Sequence, residues 1–122
     1  MNSDIAREMK ALEDAHDLLD ARELQLAASE KPYFEPTPSH PLRTVEVDAT
    51  TGVFDYPKAV HLGEQIAKRG RKVGMKLQIV VRDSNSCIHD LGGSNALRSM
   101  AEMVEPRPDS ESFGDVLRSL KN

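Results

Sequence analysis

Between Ile5 and Leu26 the chain repeats apolar positions at helical spacing. Ile5, Met9, Leu12, His16, Leu19, Glu23 and Leu26 are separated by alternating steps of four and three, a short heptad seam with His16 and Glu23 as its polar members. No Gly or Pro interrupts residues 1–30, and Asn2 or Ser3 supplies a cap. The pattern predicts one amphipathic helix over 1–30, lying on its own domain or pairing with a helix of another chain. Pro32, Pro36, Pro38 and Pro41 then predict a stiff, extended linker over 31–41, with Tyr33 and Phe34 pinning it to a surface.

The period changes to two at residues 42–48, where Val45 and Val47 alternate with Thr44, Glu46 and Asp48. A turn at 49–52 leads to Val53 and Phe54, which open a short second strand or run straight into a helix. Asp55 and Pro57 start that helix, and Ala59, Leu62, Gly63, Ile66 and Ala67 form its apolar face. Residues 76–82 alternate again as a strand. Asp83 to Ser86 have turn chemistry, and 87–91 read as the returning arm of a hairpin. Ser94 caps a helix to about Met103. A last helix from Asp109 or Ser110 carries Phe113, Val116, Leu117 and Leu120 on one face.

The expected fold class is therefore α+β: a small, mainly antiparallel sheet covered by helix 56–72, with an N-terminal helix on a proline-rich arm and two C-terminal helices. The domain reading is an N-terminal helix (1–30), a linker (31–41) and an αβ core (42–122) that folds without the arm.

Within 42–91, Phe54-Asp55, Ala59, Ala67, the strand 77–81, Arg82-Asp83 and Ile88 follow an order that resembles a family of short bacterial β-β-α-β-β domains of unknown function. The resemblance implies a fold and no activity.

Charge sharpens the picture more than composition does. The chain of 122 residues has a net charge of −4, but seven bases against one acid fall within 58–82 while both ends are acidic. Lys68, Arg69, Arg71, Lys72 and Lys76 form a basic cluster at the end of the predicted helix. It suits an anion or an acidic partner, and nucleic acid or a nucleotide is the alternative ligand. No aromatic stands beside the cluster to stack a base. Glu13, Asp14 and Asp17 form an acidic face on the first helix, expected to lie near Arg69, Arg71 or Lys72.

Candidate chemistry is thin. Cys87, His89 and Asp90 lack the convergent base and oxyanion donors that a thiol nucleophile needs, and the histidines are too scattered to form a zinc site. Gly92-Gly93-Ser94 reads as a hairpin exit and a helix cap rather than a phosphate loop. The expectation is a non-enzyme with no cofactor and no metal: a protein-binding module, homo-oligomeric or an accessory or inhibitor subunit of bacterial or phage type. Its partner is itself or another protein, met through Ile5, Met9, Leu12, His16, Leu19, Tyr33 and Phe34. With one cysteine, no apolar block after a basic start and no membrane-length apolar run, the expected location is the cytoplasm and no membrane contact is expected.

Overall fold

A computed structural model describes residues 2–32, 34–39 and 41–106. The predicted last helix, Tyr33 and His40 lie outside the described residues. Three helices and three strands alternate: α1 (Ser3–Ser29), β1 (Arg43–Asp48), α2 (Pro57–Arg69), β2 (Met75–Val80), α3 (Asn95–Met100) and β3 (Glu102–Val104). Short 3₁₀ turns at Ala49–Thr51, Val53–Asp55 and Gly70–Val73 join them.

The strands lie in the order β1-β2-β3, and both pairings are parallel. This corrects the antiparallel sheet expected from the sequence. A tight turn can return a strand only antiparallel, whereas a helical crossover brings the chain back to the end where it began. Residues 49–74 are such a crossover. Val53 and Phe54 are no second strand: they sit in a 3₁₀ turn with both side chains buried. Residues 87–91 are no hairpin arm either. They form turns that drop Cys87 and Leu91 into the core, and α3 then delivers β3 parallel to β2.

Register fixes which side chains share a face. Val45 pairs with Leu77, Val47 with Ile79, and Ile79 in turn with Met103. These residues meet Leu12 and Leu19 of α1, Ile66 of α2 and Leu97 of α3 in one core. The opposite face holds Thr44 beside Lys76, and Glu46 beside Gln78 and Glu102. Parallel sheets are ordinarily covered on both faces. Among the described residues this sheet has helices on one face and a polar surface on the other, bridged by Lys76 Nζ to Glu102 Oε1 at 2.6 Å.

α1 belongs to this core. Its buried positions are Glu8, Met9, Leu12, Ala15, Leu19 and Arg22, so the apolar seam is flanked by two buried charges. Each charge reaches one end of the strands. Glu8 Oε1 accepts from the amide of Asp48, the last residue of β1, at 3.0 Å. Arg22 donates to Pro41 O at 2.7 Å and Val73 O at 2.9 Å, ahead of β1 and β2. α1 therefore runs antiparallel to β1. Phe34 completes the Arg22 site: its ring lies 4.8 Å from the guanidinium carbon, and its amide donates to Lys72 O at 3.3 Å. Gly74, at φ 73°, is required here, because a Cβ would collide with the Phe34 ring.

Candidate functional site

The residues singled out on α1 separate into two groups. Met9, Leu12 and Leu19 are buried in the chain's own core, Ile5 packs partly against it, and His16 is half-buried with Nδ1 3.6 Å from Asp20 Oδ2. Phe34 holds the linker to its own domain under Arg22. The buried set leaves no continuous apolar seam on the outside of α1.

The basic cluster is divided as well. Arg69 Nε donates to Glu23 Oε2 at 3.0 Å, and Arg69 Nη2 contacts both Glu23 Oε1 and Asp20 Oδ1. Lys76 is tied to Glu102 across the open face. Lys68, Arg71 and Lys72 are exposed, with no ion pair among the described residues. The acidic face of α1 does meet the bases of α2 within one chain, but further along than expected. Lys58 holds Glu13 at 2.6 Å, so the end of α2 reaches Asp20 and Glu23 instead of residues 13–17. The helices run parallel, which sets that offset.

The Arg69 hydrogen bonds hold the Glu23 carboxyl below its ordinary range and push the Arg69 guanidinium up. A carboxylate depressed in the folded state contributes stability above its unfolded pKa, near 4.5, and loses it as pH falls through the lower folded value. Both side chains are about one-third exposed, which limits the effect. Arg69→Gln is expected to cost about 1 kcal/mol at pH 7. Urea unfolding in a pH series checks it: the gap between the variant and the native chain should close as the medium is acidified through the carboxylate range.

Cys87 is buried, and His89 is exposed. Asp90 accepts from the Arg82 amide at 3.1 Å, so its carboxylate is occupied in a turn. Ser94 Oγ caps α3 through the Leu97 amide at 3.0 Å and donates to Glu64 Oε2 at 2.6 Å. Among the described residues no cluster of His, Cys, Asp and Glu is arranged to hold a metal ion. No described helix is long and apolar enough to cross a membrane.

One surface that the sequence reading passed over joins backbone donors to a groove. Among the described residues β1 is an edge strand. The Arg43 amide donates to Gly74 O at 2.9 Å, which puts residues 43, 45 and 47 on the ladder with β2. Thr44, Glu46 and Asp48 then turn their amides and carbonyls outward. Asp48 is already satisfied, by Glu8 at its amide and by Thr51 Oγ1 at its carbonyl. Thr44 and Glu46 are exposed and open onto a groove of about 310 Å³ that runs between β1 and Ala11, Asp14, Ala15 and Leu18 of α1. The sequence carries no signal for this surface, because the edge position of this short, alternating strand follows only from the parallel topology.

Comparison of the chain with protein-family models, with curated proteins and with solved structures gave no match. The reading of function therefore rests on the geometry above.

Proposed function

We propose that this chain is a non-enzymatic protein-binding module that receives its partner at the free edge of β1. The observation that carries the reading is the pair of outward backbone sites at Thr44 and Glu46, open among the described residues, beside a groove lined in part by Ala11, Ala15, Leu18 and Val45. Unpaired strand edges template pairing with another chain, and proteins that do not use them cover or blunt them. Here Glu8 blunts one end and the middle is open.

Two features argue against the alternative, an anion-binding role for the basic cluster. Arg69 and Lys76 are neutralised by carboxylates of the same chain. The remaining Lys68, Arg71 and Lys72 complement the helix dipole at the end of α2, where cations are stabilising in any case.

A photo-crosslinking residue placed at Arg43, beside the groove, tests this reading against the same residue placed at Lys68. In cell extract, position 43 should give protein adducts that Thr44→Pro removes, and position 68 should not. Proline at an outward-facing edge position costs the sheet no ladder bond. Adducts at position 68 alone, or adducts sensitive to nuclease, would contradict the proposal and favour nucleic acid.

A further inference from the structure

Resting on that reading, we infer that the occupant of the β1 edge is a single extended segment of another protein, with apolar residues alternating with lysine or arginine, and not a second copy of this chain.

The first part follows from the spacing of layers. α2 is the crossover between β1 and β2, and α1 lies beside α2, joined to it by Lys58–Glu13 and by Arg69 with Asp20 and Glu23. Packed helices stand roughly 8–10 Å apart, whereas neighbouring strands stand about 4.8 Å apart. α1 must then overhang the sheet beyond β1, above the position a fourth strand would take. The groove under Ala11, Ala15 and Leu18 is that position. Two copies pairing β1 to β1 about a two-fold axis would each bring an overhanging α1 into the space of the other's helices. A lone strand carries no helix and fits beneath.

The chemistry of the segment follows from the two faces of that slot. Side chains pointing up from an added strand meet Ala11, Ala15, Leu18 and Val45, an apolar lining that suits apolar groups and disfavours unpaired polar ones. Side chains pointing down emerge on the open sheet face beside the exposed Glu46, which supplies the charge, whereas Asp14 at the outer lip is already held by Lys10 at 3.3 Å. Opposite charges on neighbouring strands stabilise a sheet and like charges oppose pairing. The added strand would exchange main-chain hydrogen bonds with Thr44 and Glu46, the mode in which backbone supplies affinity and alternate side chains supply specificity.

Selection of short random peptides against the immobilised full chain tests the inference. The enriched peptides should alternate bases with apolar residues. A synthetic copy of the most enriched one should slow amide exchange at Thr44 and Glu46. Glu46→Lys should weaken it about fivefold, and Thr44→Pro about tenfold or more. Enriched peptides that are helical or acidic, or that bind these variants as well as the native chain, would overturn the inference and leave the protein-binding reading standing. Doubling of mass with concentration, with Thr44 and Glu46 protected in the absence of peptide, would overturn it in favour of a second copy. No enrichment, together with no adduct at position 43, would overturn both.

Discussion

Deleting residues 1–30 is expected to leave an unfolded chain rather than a smaller domain. Leu12 and Leu19 are completely buried, and Met9 and Ala15 nearly so, against β1 and α2. Each large apolar side chain contributes about 1.5–3 kcal/mol by burial. Together with the two polar clamps at Glu8 and Arg22, their loss approaches the entire stability of a typical domain, about 5–15 kcal/mol. Leu12→Ala alone is expected to cost about 3 kcal/mol. Circular dichroism and urea unfolding of the truncated chain and of the point variant check both. A cooperative transition in the truncated chain would mean that the remaining elements form a core without α1, as the division at residues 31–41 in the sequence suggests.

Arg22→Met is expected to destabilise the chain by about 3 kcal/mol. Arg22 is 2% exposed, and its guanidinium has no carboxylate partner among the described residues. Burial, and then Arg43 nearby, push its pKa down. Such a cation persists because it satisfies two carbonyls that have no other donor among the described residues, Val73 O and Pro41 O; Gly74 O, at 3.4 Å, already accepts from the Arg43 amide. Methionine would fill the volume, leave the Val73 oxygen buried without a partner and release the Pro41 carbonyl that anchors the linker. Arg22→Lys should recover only part of the loss. An ammonium is a point donor that cannot span carbonyls of two separate segments or lie flat on the Phe34 ring. The denaturant midpoint measures the loss. Faster proteolysis within 31–41 in Arg22→Met would show that the linker has come free of the domain.

These two residues also mark how far the sequence could be read. The elements themselves were legible: α1 from its heptad spacing, β1 and β2 from their alternation, α2 from its apolar face and Pro57. Pairing direction was not, because Val53-Phe54 and residues 87–91 carry strand-like residues that the fold spends as buried turns. Reading them as strands turned two helical crossovers into two hairpins. On α1 the steps of four and three recur in Glu8, Leu12, Ala15, Leu19 and Arg22, the line the structure buries. An apolar-only reading chose the line containing His16 and Glu23 instead, since a charge at the end of a seam looks like solvent exposure until a backbone group is found for it.

The candidate site was less legible for a related reason. Thr44 and Glu46 carry no unusual side chain, and what distinguishes them is where their backbone groups point. That depends on the partner strand, on the parallel register and on β1 lying at the edge. The basic cluster drew attention by composition, yet its central member, Arg69, is used up within the chain.

Residue-resolved amide hydrogen exchange along β1 in the free chain tests the central claim most directly. Val45 and Val47, bonded to β2, should exchange slowly, and Thr44 and Glu46 should exchange fast. Asp48, held by Glu8, should fall with the slow group. Slow exchange at Thr44 and Glu46 without any added partner would contradict the account, because it would mean that the edge is already paired.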